Sequence, residues 1–151
     1  GILAGRLHSA QTAVALDEAL TGNARATDCT FEPIVRMTTT YIEGGDLDFD
    51  QLIAPIKKGY FIKTIKHGSG MSTFTIAPSL AYEIVDGKLG RPVQISVLTG
   101  SVFETLGLID GLTRDVHLLS FVTGGCGKME QMNLPVGLGG PYVRVSSMNV
   151  Q

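Results

Sequence analysis

Tryptophan is absent from this 151-residue chain, and cysteine occurs only as Cys29 and Cys126. Two thiols cannot build a disulfide framework, so a reducing compartment is expected. Positive charge is scarce as well: 12 Lys and Arg against 14 Asp and Glu leave a formal net charge of -2. Without a basic stripe nothing displaces counterions from phosphate, which argues against a nucleic-acid partner. Long apolar runs are also missing. The longest, GSVFETLGLIDGL, is interrupted by Glu104 and Asp110, far short of the roughly 20 residues that a bilayer-spanning helix needs, so no membrane partner is expected. No charged stretch followed by an apolar one opens the sequence, and no secretory signal is read there. The opening GILAGRLHSAQTA has no initiator Met, as if the chain had been entered partway through a longer sequence. At this length a single domain over 1–151 with one core is expected.

The local pattern predicts an α+β fold with a dominant antiparallel, partly barrel-like sheet and two or three short helices. GILAGRL reads as a strand, followed by a helix from Ser9 to Leu20 with Ser9 as N-cap. IVRMTTTYIEGG is a β-branched and aromatic strand closed by Gly-Gly. Asp46 to Lys58 reads as a helix, acidic in its first turn and basic in its last, with Gly59 as C-cap. YFIKTIKHG, MSTFTIAPSLAYEIV and RPVQISVLTG then form a meander with an Asp-Gly hairpin at VDGKLGRP. SVFETLGLIDGL gives a third helix, with Ser101 and Glu104 at capping-box spacing. DVHLLSFVT and PYVRVSSMNV supply two strands around the glycine-rich segment.

That segment, FVTGGCGKMEQMNLPVGLGGPY, sets Cys126 in a glycine bracket beside Lys128. Glycines permit close approach of a ligand, metal or second chain, and a neighbouring cation favours the thiolate. A small apolar cysteine under a turn fits the same residues. His8, His67 and His117 are scattered, without His-Glu-x-x-His spacing, so no complete local metal motif is read. Nothing selects one of them as the base for a cysteine nucleophile either. KHGSGMS lacks the Gly-Lys-Ser/Thr ending of a phosphate loop and reads as a hairpin. Alternation in VRMTTTY places Arg36, Thr38 and Thr40 on one strand face, fit either for gripping a peptide or for facing solvent.

Taken in order, Thr21-Gly22-Asn23-Ala24-Arg25, Arg36-Met37-Thr38-Thr39-Thr40-Tyr41, Gly59-Tyr60-Phe61, Cys126-Gly127-Lys128 with Gln131, Pro135-Val136-Gly137, Gly139 and Pro141 resemble the TldD/PmbA family, known as modulators of DNA gyrase and as metalloproteases. The likeness runs over essentially the whole chain. It implies the C-terminal part of a cytoplasmic zinc peptidase acting on peptide or unfolded protein substrates, paired as a homo- or hetero-dimer with a related subunit. Cys-Gly-Lys is similar to the metal-bearing TldD type, in which the cysteine joins two histidines of a His-Glu-x-x-x-His helix. By that resemblance Cys126 is a metal ligand; Arg36 and Thr38, on one face of their strand, are the candidate substrate contacts. No His-Glu-x-x-x-His occurs here; in the family it lies upstream. Thr39 stands where Asn is common, and HGSG where a triple glycine is usual.

The resemblance therefore implies a fragment that is inactive alone and holds no zinc at full occupancy, since one thiolate completes neither a coordination shell nor a water activator. The Cys126 sulfur is expected at one end of the sheet, partly exposed, facing a concavity to which Arg36 or Thr38 contributes. The alternative is a non-catalytic β-rich module that docks peptides or dimerises, using Val35 to Tyr41 as an edge strand.

Overall fold

A computed structural model describes residues 2–151, apart from the side chains of residues 121–124. Gly1, which opens the expected first strand, lies outside the described residues. In chain order the elements are α1 (Ala10–Leu16), β1 (Ala24–Arg25), β2 (Ile34–Val35), β3 (Thr39–Tyr41), α2 (Phe49–Ile53), β4 (Lys58–Gly70) and β5 (Thr73–Val85). There follow β6 (Lys88–Val93), β7 (Leu98–Ser101), α3 (Val102–Gly107), β8 (Ile109–Leu112), β9 (His117–Lys128), β10 (Gln131–Gly140), β11 (Val143–Val145) and β12 (Asn149–Val150). The chain is mostly sheet with three short helices, in keeping with an α+β class. It divides into two compact units, Gly44–Asp115 with Pro141–Gln151, and Ile2–Glu43 with Val116–Gly140.

The first unit is built on the β4–β5 hairpin. The Asp-Gly signal holds: Asp86 and Gly87 take φ of 45° and 73°, the left-handed pair that a two-residue turn matched to strand twist requires, and Val85 pairs with Lys88 across it. One edge of β5 carries β4 along its length. The other edge is shared, β7 taking Thr73–Ile76 and β6 taking Ala81–Val85. Pro78 falls in the gap between them, the place for a residue with no N–H to give a ladder. Ala81, Ile95 and Leu98 are buried at the centre, with Ile62, Ile76, Val93 and Met148 packed on them. Phe49, Phe61 and Tyr142 meet edge to face, with centroids 5.0 to 5.4 Å apart. The β8–β11 pair is fastened by Arg144, which donates to the Asp110 carboxylate at 2.6 Å and to the Leu52 carbonyl at 2.7 Å.

The second unit holds α1, the antiparallel pair β1–β2 and a three-stranded sheet ordered β3-β10-β9. Ser9 caps α1 as expected, in a reciprocal box with Thr12. The helix ends at Leu16 instead of Leu20 because Asp17 turns left-handed, φ 52°, and closes the last carbonyls.

Several expectations are corrected. The sheets are open among the described residues: the largest ends at β12 on one side and β4 on the other, so no partial barrel forms. Pairing is not uniformly antiparallel, since β10 runs parallel to β3. Residues 2–8 form no strand. The helix expected to Lys58 stops at Ile53, because Pro55 has no amide to continue it, and Gly59 lies inside β4. Ser101 precedes α3 without a side-chain cap bond; the Val102 amide donates to the Ser72 carbonyl at 2.9 Å instead. The glycine-rich segment is itself mostly strand, spanning the end of β9 and all of β10.

Candidate metal centre and peptide groove

All three residues singled out from the sequence, Arg36, Thr38 and Cys126, lie in the second unit. The run expected as one strand is two short ones, β2 and β3, joined by residues 36–38. Ladder bonds are replaced there by donors from elsewhere. The Val35 carbonyl accepts from Lys128 Nζ at 3.0 Å, the Arg36 carbonyl from Asn23 Nδ2 at 3.3 Å, and the Met37 carbonyl from Arg25 Nη1 at 2.6 Å. The Thr38 carbonyl accepts from the Gly137 amide at 3.0 Å. Four successive carbonyls are thus satisfied one by one, three by side chains and the fourth by an amide of β10, which fixes the connector.

The break also destroys the expected alternation. Arg36 is buried, 2% exposed, while Met37, Thr38 and Thr40 are exposed. The Arg36 side chain therefore does not share a solvent face with Thr38 and Thr40. Its Nη2 donates to the Cys126 carbonyl, so Arg36 and Cys126 are brought together through the backbone of the cysteine. Nε and Nη1 of Arg36 are buried and have no hydrogen-bond partner among the described residues, a costly arrangement for a cation.

Cys126 sits in β9 opposite Leu134, where irregular register shifts flank the pair. The thiol is half-exposed, and its nearest polar contact is the Gly127 carbonyl at 3.9 Å. The flanking glycines serve the hairpin. Gly125 has φ 150°, and a Cβ there would come within 2.2 Å of the Leu134 carbonyl oxygen. A Cβ on Gly127 would meet the Met132 thioether at 2.6 Å. Lys128 points its ammonium at the Val35 carbonyl.

Thr38 lines a shallow groove of about 270 Å³ together with Arg25, Thr39, Ser120 and residues 135–137. Arg25 is half-buried and bridges its walls, donating to Met37 and, through Nη2 at 2.9 Å, to the Pro135 carbonyl. Neither Arg36 nor Cys126 belongs to this groove. Arg25 and Asn23 were legible only as parts of the Thr-Gly-Asn-Ala-Arg motif, with no role attached. Their signal was two polar residues in a short loop, a common pattern. Gln131, 3% exposed, fastens the β1–β2 loop by accepting from the Thr27 amide at 3.0 Å and donating to the Glu32 carbonyl at 2.9 Å.

The histidines are placed apart. His8 is buried with its ring between Glu18 Oε2 at 2.6 Å and Thr12 Oγ1 at 3.1 Å. The His8 hydrogen bond, aided by the Arg6 charge, holds the Glu18 carboxyl below its ordinary value despite partial desolvation. His67 lies in the other unit and His117 opens β9. Among the described residues no three His, Cys, Asp or Glu side chains converge as a metal site. A half-exposed thiol is a donor suited to zinc, but the chain's described residues supply no second and third ligand beside it.

With that geometry in place the family can be stated: the family described as PmbA/TldA metallopeptidase C-terminal domain matches residues 1–151, and the chain belongs to it. Among its relatives, a protein named Metalloprotease from Methanothermobacter thermautotrophicus is 39% identical over 99% of this chain and 33% of its own length. The Metalloprotease TldD homolog of Haemophilus influenzae is 34% identical over 99% of this chain and 31% of its own. The Zinc metalloprotease TldD homolog of Saccharolobus solfataricus is 30% identical over 86% and 29%. The chain thus spans about a third of the length of these relatives. In fold it resembles the solved structure of TldE from Thermococcus kodakarensis, with a TM-score of 0.72 at 17% identity over 97% of this chain and 31% of that one. No helix among the described residues is long and apolar enough to cross a membrane.

Proposed function

We propose that this chain is the C-terminal part of a TldD-type zinc metallopeptidase acting on peptides or unfolded proteins, and that Cys126 is its contribution to the metal. The observation that carries the reading is the match of the whole chain to relatives named as metalloproteases, one of them as a zinc metalloprotease. The half-exposed thiol on a braced strand supports it, since a ligand must be both reachable and fixed. Bound zinc would supply Lewis-acid polarisation and an activated water. What this chain's residues do is narrower. Arg36 holds the Cys126 carbonyl and thereby the thiol-bearing backbone, and Thr38 offers a hydroxyl to an incoming peptide.

By the family resemblance, two histidines and a glutamate come from a helix of the complete protein, so residues 1–151 alone do not cleave peptides. The complete enzyme works in the cytoplasm as a dimer with an identical or related subunit. Leu119 and Leu138, which pair across β9 and β10 and so share a face, are 60% and 43% exposed, an apolar surface that fits cover by further protein.

The test compares the full-length protein with residues 1–151 on an unfolded peptide, with and without chelator. Chelator-sensitive cleavage is expected from the full-length protein only. Chelator-sensitive cleavage by the fragment, or none by either, would overturn the reading. A non-catalytic docking module is the second reading, favoured by β3, an edge strand whose Thr39, Thr40 and Tyr41 are all exposed. Peptide binding without cleavage by the full-length protein decides for it.

A further inference from the structure

We propose that the groove between residues 38–39 and residues 135–137 is a carboxylate site, which selects peptides presenting a free C-terminal carboxylate or an acidic side chain. This rests on the peptidase reading for the identity of the ligand as a peptide, but its chemistry is carried by the groove itself. Three cations, Arg25, Arg36 and Lys128, converge on the backbone of residues 35–37 and on the carbonyl of Cys126. Among the described residues none of the three has an ion pair with a carboxylate. Their hydrogen bonds go to neutral carbonyls, which satisfy N–H groups while leaving the charge uncompensated.

Two observations make this more than a basic surface. Arg36, outside the groove lining but two residues from Thr38, is almost wholly buried with Nε and Nη1 unpartnered among the described residues, so an uncompensated positive charge is fixed in the connector that carries Thr38. Arg25 spans both walls and is held rigid by the Met37 and Pro135 carbonyls. A guanidinium carries five N–H donors, and those two bonds leave donors over. Thr38, Thr39 and Ser120 supply hydroxyls around it. A preorganised guanidinium ringed by hydroxyls, with no competing acid, is the chemistry that receives a carboxylate. Both candidate sources share that group, and the experiment separates them.

Binding is measured on the full-length protein with its metal removed by chelator, so the readout is independent of catalysis and of Cys126. The probes are fluorescein-labelled peptides of one sequence in four forms: free acid or C-terminal amide, each with Asp or Asn at an internal position. The acid forms are expected to bind about tenfold or more tightly than their neutral counterparts, the worth of a charge-assisted hydrogen bond. A difference confined to the C-terminus names the terminal carboxylate; one confined to Asp names the side chain. Arg25→Gln is expected to erase the preference. Because that residue also braces two walls, Ser120→Asp is the companion: it places a like charge at the rim, leaves the Arg25 bonds alone, and is expected to erase the preference too. Equal binding of all four peptides by the unmodified protein overturns the proposal, as does a preference that survives Ser120→Asp. No chelator-sensitive cleavage by the metal-loaded full-length protein, with the preference intact, sinks the peptidase reading and leaves the site standing.

Discussion

The two units are held by different means. The hairpin unit relies on backbone ladders and side-chain packing: thirteen-residue β4 and β5 run antiparallel, and Ala81, Ile95 and Leu98 are buried against them. The unit bearing Cys126 also has a long antiparallel pair, twelve-residue β9 with ten-residue β10, but its β1, β2 and β3 are only two or three residues long, and these are braced by long side chains reaching backbone carbonyls far away in sequence. Lys128 spans 93 residues to Val35, Arg36 spans 90 to Cys126, and Arg25 spans 110 to Pro135. A ladder fixes many residues weakly and uniformly; a side-chain brace fixes a few strongly. The second arrangement suits a segment that holds one thiol and one groove in place while leaving the outer edge of β3 open.

The contrast is broken most forcefully by removing one element of each kind. Leu98→Ala should cost about 2–5 kcal/mol, the range for a buried leucine, with exchange of β5 and β7 amides rising first in hydrogen-exchange measurements. Arg36→Ala should cost about 2–4 kcal/mol by leaving a cavity and an unpaired carbonyl, with the loss read first at β9 and β10. Arg36→Met is the sharper probe. It fills the space without two orphaned donors or a buried charge, and should cost less than about 1 kcal/mol in the peptide-free protein. A loss as large as that of the alanine variant would mean that the brace depends on the charge.

The capping boxes allow a milder comparison. Ser9→Ala in one unit and Asp48→Ala in the other remove equivalent cap bonds, and each should cost about 1 kcal/mol in denaturant unfolding. Smaller again is Gly107→Ala: a Cβ there meets nothing within 4 Å, so helix propensity should raise stability by about 0.5–1 kcal/mol.

The least of these effects is a pH dependence. Glu18 is lowered in the folded protein, chiefly by the His8 hydrogen bond, so its contribution is present above the ordinary carboxyl value and fades as acidification passes through the lower folded value. Glu18→Gln should flatten the acid limb of stability against pH, measured by thermal unfolding in buffers from neutral down to well below the ordinary carboxyl value. An unchanged acid limb would remove Glu18 from the account.

What the sequence disclosed follows the same division. Local signals are readable: Ser9 as the cap of α1, and Asp86-Gly87 between β5 and β6, because each is decided by neighbours within a few residues. The fate of residues 36–38 is not. Their β-branched and alternating pattern calls for a strand, but donors at positions 23, 25, 128 and 137 take the carbonyls that a ladder would have used. Nor could the glycines around Cys126 be seen as strand, since their small size is spent on contact with Leu134 and Met132. The family was legible because its motifs are ordered along the chain; the groove was not, because its walls meet only in space.

The central claim is that Cys126 is this chain's contribution to a metal centre, and zinc content tests it most directly. Full-length protein and its Cys126→Ala variant are purified under identical conditions, dialysed against a weak chelator and analysed for bound metal, with folding checked by circular dichroism. The account predicts roughly one zinc per chain in the unmodified protein and a near-complete loss in the folded variant, since three protein ligands are the usual minimum for a catalytic site. Equal zinc in both proteins would contradict it.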